Sequence, residues 1–85
     1  MRTFGTDPEF MLMKDGEIHS AIGIVHGSID NRISLSGHQF YYDNVLAECA
    51  VRPASSKEEM LDSLRECLKI FSDMVHPYEL VTQAS

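Results

Sequence analysis

The sequence predicts an α+β domain: an antiparallel sheet of four to five strands packed against one long amphipathic helix. The first observation is Asp15-Gly16 between two apolar-rich runs, which predicts a β-hairpin. Both central positions of a tight hairpin turn need positive φ, and Asp-Gly is a favoured pair there. The second is a long apolar stripe at helical spacing, which needs a surface to cover. A sheet with one apolar face supplies that surface. At 85 residues, the chain is expected to form a single domain over residues 1–85.

Two strand pairs are expected. The first joins residues 9–14 to residues 17–22, and Asp7-Pro8 marks its start because proline removes a backbone donor. The second joins residues 38–42 to residues 45–51 through a turn at Asp43-Asn44. Alternation within residues 45–51 directs Glu48 to the opposite face from Val45, Ala47, Cys49 and Val51. Residues 23–37 have the Gly- and Ser-rich composition of a long loop.

The helix is predicted over residues 57–75. Ser56 with Glu59, or Ser55 with Glu58, fits a capping box at its start. His76-Pro77 ends it, and residues 78–82 form a last strand. The apolar stripe consists of Met60, Leu61, Leu64, Cys67, Leu68 and Phe71. Of these, Leu64, Leu68 and Phe71 are expected to face Val45, Ala47 and Val51 in the core.

The charge balance narrows the function classes. Thirteen Asp and Glu against seven Lys and Arg give a net charge of −6, which argues against direct binding of nucleic acid. A protein with this negative charge is instead suited to bind a basic surface on another macromolecule. No apolar run approaches the roughly 20 residues of a membrane span, and no secretion signal is visible, so a cytoplasmic protein is expected. Cys49 and Cys67 are then expected as reduced, buried thiols.

Four carboxylates are the main candidates for chemistry. Asp7 and Glu9 flank a proline at a strand start, Asp43 lies at a turn, and Glu48 lies in mid-strand. Carboxylates on neighbouring strands can hold a hard cation such as Mg²⁺, with a substrate phosphate completing its shell. In the alternative interpretation these residues are structural, with Glu48 paired to a cation such as Arg52. The sequence contains no HxxxH pair of histidines, no phosphate-binding GxxxxGK[ST] loop and no GxGxxG.

Two blocks of the sequence carry a resemblance to a known family. Residues 4–12 (FGTDPEFML) resemble the G-x-D-P-E-F opening of phage and bacterial carboxylate–amine ligases, the amidoligases. Residues 43–54 (DNVLAECAVRPA) are similar to the second block of that family, and the helix and last strand follow in the family order. The family is far longer, however. Its later strands, which carry further residues for ATP and the second substrate, have no counterpart in this sequence.

The resemblance implies the fold of glutamine synthetase and glutamate–cysteine ligase. It also implies a reaction that joins a carboxylate to an amine through an acyl phosphate, with ATP and Mg²⁺ as cofactors. By position, Glu9 and Glu48 are then ligands of the metal or of the ATP phosphates, with Asp7 and Asp43 in support.

Two functional hypotheses follow. In the first, the chain is a small, acidic, non-catalytic relative of the ligase without a cofactor. It is expected to be phage-encoded and to inhibit a host protein or nucleoprotein complex in the host cytoplasm, as anti-CRISPR and other anti-defence proteins do. Its expected partner-binding residues are Asp30, Glu58, Glu59, Asp62 and Glu66, facing a basic surface.

In the second hypothesis, the chain is a fragment or subunit of an active ligase that binds Mg²⁺ through Glu9 and Glu48. The absence of further strands favours the first hypothesis and predicts an open sheet edge. Such an edge is expected either to form a homodimer or to be covered by residues 23–37.

Overall fold

A computed structural model describes residues 5–82 and confirms the α+β fold class. One helix accompanies an antiparallel sheet of six strands, where four to five were expected. In chain order the elements are β1 Glu9–Lys14, β2 Glu17–His19, β3 Ile33–Leu35, β4 His38–Asp43, β5 Leu46–Ala50, α1 Lys57–Val75 and β6 Glu79–Thr82. Among the described residues, no helix is long and apolar enough to cross a membrane.

Strand β1 lies at the centre of the sheet. Phe10 is paired with both Ala47 of β5 and Thr82 of β6, so β5 and β6 lie on opposite edges of β1. Strand β2 continues along the same edge as β5, from Leu12 to Lys14. Beyond β5 come β4 and then β3, and every pairing between strands is antiparallel.

Three two-residue turns set the register of the hairpins. Asp15 and Gly16 have φ of 53° and 78°, which confirms the predicted Asp-Gly turn between β1 and β2. The β4–β5 turn lies at residues 44–45, one position later than predicted, because Asp43 is paired with Leu46. A third turn at Ser36-Gly37 joins β3 to β4, so the prediction that residues 23–37 are all loop was wrong.

The core lies between α1 and one face of the sheet. The ring of Phe71 on the helix packs against Phe40 at 5.1 Å and against Phe10 at 6.5 Å between ring centroids. The fully buried helix positions recur every four residues and are Ser63, Cys67, Phe71 and Val75. This stripe is narrower than the predicted one: Leu64 and Leu68 are half-buried at its margin, and Leu61 and Val45 are exposed.

The segment between β2 and β3 packs against the sheet although it contains no strand. Ala21 and Val25 are completely buried within the core. The carbonyl of Gly27 accepts a hydrogen bond of 2.8 Å from the backbone N–H of Tyr42, beyond the end of β3. The edge of β4 is therefore occupied by β3 and by residues 27–28 together, which is one of the two outcomes expected for this edge.

The helix start and the cysteines agree with the sequence predictions. Ser56 is the N-cap and its hydroxyl accepts from the Glu59 N–H at 3.1 Å, while the Glu59 carboxylate accepts from Ser55. Cys49 and Cys67 are free and buried. A hydrogen bond to Cys67, together with burial, raises the pKa of the Cys49 thiol, so this thiol is kept protonated and unreactive.

Candidate functional site

The two glutamates that the sequence singled out are direct cross-strand neighbours. Glu9 of β1 is paired with Glu48 of β5, and Glu48 is paired on its other side with Tyr41 of β4. Because side chains alternate along a strand, all three project from the face opposite Phe10 and Ala47, which face the helix. The row thus crosses three adjacent strands on the sheet face that α1 does not cover.

Asp7 and Asp43 extend this row. Asp43 lies two residues after Tyr41 on β4, and its negative charge acts on the Glu48 carboxyl group. Backbone bonds from Cys49 N to Pro8 O and from Val51 N to Thr6 O keep the chain before β1 against β5, which places Asp7 on the same side. We call the surface formed by Asp7, Glu9, Tyr41, Asp43 and Glu48 the carboxylate face. All four predicted ligand residues are therefore brought together.

The electrostatics of the carboxylate face centre on Glu48. Burial raises the pKa of Glu48, and the negative charges of Asp43 and Glu9 raise it further. The Tyr41 hydroxyl opposes this by donating a hydrogen bond to the Glu48 carboxylate. Burial and this bond in turn raise the pKa of Tyr41 to about 12, so the phenol stays protonated.

A cationic side chain lies against this face. The guanidinium of Arg32 lies over the Tyr41 ring, 4.0 Å from its centroid, and its charge favours ionisation of the Tyr41 hydroxyl. Arg52, the alternative partner predicted for Glu48, is engaged elsewhere: its guanidinium donates to the Ser36 carbonyl at 3.2 Å and to the Ser63 hydroxyl at 3.3 Å. The expectation of a Glu48–Arg52 pair was therefore wrong.

The carboxylate face does not form a complete metal cage. Within residues 5–82, no group of three or more His, Cys, Asp or Glu side chains is arranged to hold a metal ion. Mg²⁺, however, is commonly bound by one or two carboxylates together with water and substrate phosphate oxygens. The Glu9–Glu48 pair fits a metal that arrives with a phosphate ligand rather than one held by the protein alone.

The five predicted partner-binding residues do not share one environment. Glu58 and Asp62 are exposed in the first half of α1, and Asp30 is exposed in the turn between Ser28 and Asn31. Glu59 is part of the helix cap, and Glu66 hydrogen-bonds to His38. Two of the five therefore make contacts within the chain that give them structural roles.

A buried polar network on the helix side was not anticipated. His38 is fully buried; its Nε2 lies 2.7 Å from Glu66 Oε1, and its Nδ1 accepts from the Arg52 backbone N–H at 2.9 Å. Since Nδ1 is an acceptor, the neutral imidazole carries its proton on Nε2 and donates it to the Glu66 carboxylate. Both nitrogens are thus occupied, and the network fastens β4 to the helix instead of presenting a reactive group. No residue spacing in the sequence signals it.

Comparisons with protein-family models, with characterised proteins and with solved structures find no match for this chain. The resemblance to the amidoligases therefore depends on the two sequence blocks alone.

Proposed function

We propose that the carboxylate face binds the phosphates of a Mg²⁺–nucleotide complex, as part of an ATP-dependent carboxylate–amine ligase. The observation that supports this most is the pairing of Glu9 with Glu48 on adjacent strands. These glutamates come from the two separate blocks that resemble the ligase family, and the fold makes them neighbours on an uncovered sheet face. Helix capping or a turn would explain an isolated carboxylate, but neither explains this pair.

The role of each group follows from its position. Glu9 and Glu48 supply the carboxylate oxygens for the cation, and Asp43 and Asp7 add negative charge beside them. Tyr41 is the cross-strand partner of Glu48 and lowers the pKa of its carboxyl group, which offsets part of the effect of the neighbouring negative charges. When bound, Mg²⁺ and ATP would supply charge neutralisation and the phosphoryl group that activates a carboxylate substrate.

Isothermal titration calorimetry with Mg·ATP tests this proposal. We expect micromolar binding by the wild-type chain, and no measurable binding when EDTA removes the metal. Glu9→Gln and Glu48→Gln each remove a charge and keep the side-chain shape, so each is expected to abolish binding. Glu17→Gln is the matched control, because Glu17 is exposed at the start of β2, outside the carboxylate face. Wild-type protein that does not bind Mg·ATP, or glutamate variants that bind as tightly as wild type, would refute the proposal.

A second candidate function is the acidic inhibitor of a host protein. One observation favours it: Leu61 is 53% exposed on the outer side of α1, between the exposed carboxylates of Glu58 and Asp62. An apolar side chain flanked by acidic ones suits a basic partner surface with an apolar centre.

The inhibitor hypothesis can be tested by affinity capture from host cells at several salt concentrations. Capture of a defined host protein should weaken as salt rises and should be lost in Glu58→Lys/Asp62→Lys. Asp73→Lys is the control, because Asp73 lies in the last turns of the same helix, where it pairs with Lys69. Equal capture by both variants would refute the role of this surface.

A further inference from the structure

Arg32 is held in place over the carboxylate face by three contacts. Its Nε–H donates to the Ile29 carbonyl at 3.2 Å, and Nη1 donates to Gln39 Oε1 at 3.0 Å. The guanidinium carbon lies 4.0 Å from the centroid of the Tyr41 ring. The segment that carries Arg32 is itself fixed to β4 by the bond between Gly27 O and Tyr42 N. The position of this cation is therefore determined by the fold, although its side chain reaches solvent.

The other basic side chains whose contacts the structure describes point elsewhere. Lys14 lies over the Tyr78 ring, Arg52 binds the β3–β4 turn and Ser63, and Lys69 pairs with Asp73. Arg32 thus supplies positive charge beside four carboxylates that would otherwise repel an approaching phosphate. Within residues 5–82, only two of the five guanidinium N–H groups donate hydrogen bonds, so three are available to a ligand.

We propose that Arg32 is the phosphate-positioning residue of the carboxylate face. Its guanidinium donates to a phosphate oxygen of the Mg²⁺–nucleotide held at Glu9 and Glu48, while it stacks on the Tyr41 ring. This inference rests on the proposed function. A guanidinium is suited to the role because its planar set of donors matches two oxygens of one phosphate, and because it stacks on an aromatic ring without losing its charge.

The test is calorimetry with Mg·ATP on four proteins: wild type, Arg32→Gln, Arg32→Lys and Arg65→Gln. Arg65 is an exposed arginine on α1, which packs on the other side of the sheet, so its replacement controls for the general loss of one positive charge. Arg32→Lys keeps the charge but loses the two-pronged geometry. Circular dichroism melts of all four proteins establish that each variant is folded under the titration conditions.

We expect Arg32→Gln to weaken Mg·ATP binding by about 10- to 100-fold, in line with the loss of a charge-assisted hydrogen bond. Arg32→Lys should recover part of this loss, and Arg65→Gln should bind like wild type. Wild-type binding that Arg32→Gln leaves unchanged would overturn the role of Arg32 and leave the proposed function standing. An equal loss in Arg32→Gln and Arg65→Gln would also overturn it, because the effect would then be one of net charge. Wild-type protein that does not bind Mg·ATP would overturn both proposals together.

Discussion

Gly27 provides a sensitive test of the packing that carries Arg32. A Cβ atom at this position would lie 2.5 Å from the Phe40 carbonyl oxygen and 2.9 Å from the Ile33 backbone nitrogen. Ordinary contacts begin at 3.4 Å, so the segment would have to move about 0.9 Å away from the backbone of β4. Neither contact is with a flexible side chain that could swing aside. We expect Gly27→Ala to lower the free energy of unfolding by about 1–3 kcal/mol or more, the usual cost of overpacking a rigid site.

The assay is urea denaturation followed by circular dichroism, with Gly5→Ala as the matched control. Within residues 5–82, a Cβ atom on Gly5 meets no other atom within 4 Å, so that variant should remain within about 0.5 kcal/mol of wild type. The same displacement should move Arg32 away from Tyr41 and weaken Mg·ATP binding by the folded variant. Equal stability of Gly27→Ala and Gly5→Ala would refute the close approach of residues 27–28 to β4.

Three further outcomes are expected. Phe71→Ala should cost about 3–5 kcal/mol in urea denaturation because Phe71 is fully buried, whereas Leu61→Ala should cost less than about 0.5 kcal/mol; similar losses would show that the helix packs by another stripe. Because Glu48 binds its proton more tightly in the folded state, the free energy of unfolding should fall as pH rises from the ordinary carboxyl pKa to the raised one. Glu48→Gln should therefore be more stable than wild type at neutral pH but not in acid, and thermal melts showing the opposite order would contradict this. Homodimer formation through a sheet edge remains a prediction, and β6 is a candidate edge because, within residues 5–82, it pairs with β1 alone. Sedimentation velocity that finds only monomer up to high concentration would refute it.

The parts of the fold that could be predicted from sequence have strong local signals. Asp15-Gly16 needs the positive φ of a tight turn, and Ser56 and Glu59 cap a helix whose apolar residues repeat regularly. Strand β3 was missed because three residues are too few to establish an alternation. Its turn at Ser36-Gly37 was the available signal, since glycine readily takes positive φ there.

Three residues have environments that the sequence pattern did not indicate. Ser63 is buried in the helix stripe because its hydroxyl accepts from Arg52, whereas hydrophobicity alone assigns that position to solvent. His38 is buried because Glu66 and the Arg52 backbone satisfy both ring nitrogens. Val45 is exposed because the turn begins one residue later than the pattern suggested. For Ser63 and His38 the deciding partner is distant in sequence, so spacing gave no indication of it.

The four acidic residues of the carboxylate face were candidates from their positions in the sequence, and the resemblance assigned them to a metal or to ATP phosphates. The helix side of the sheet stabilises the fold by burying apolar groups, whereas the opposite side gathers four carboxylates around one buried tyrosine. Burial, together with the charges of Asp43 and Glu9, raises the pKa of Glu48, so keeping this carboxylate ionised at neutral pH opposes folding. Next to it, Met11, Ile18 and Leu46 help to line a largely apolar hollow of about 280 Å³, with Ile18 61% exposed. Repelling charges and exposed apolar groups on one face are consistent with the proposed binding function, because a bound cation with its phosphate would relieve the repulsion that the folded chain alone must tolerate.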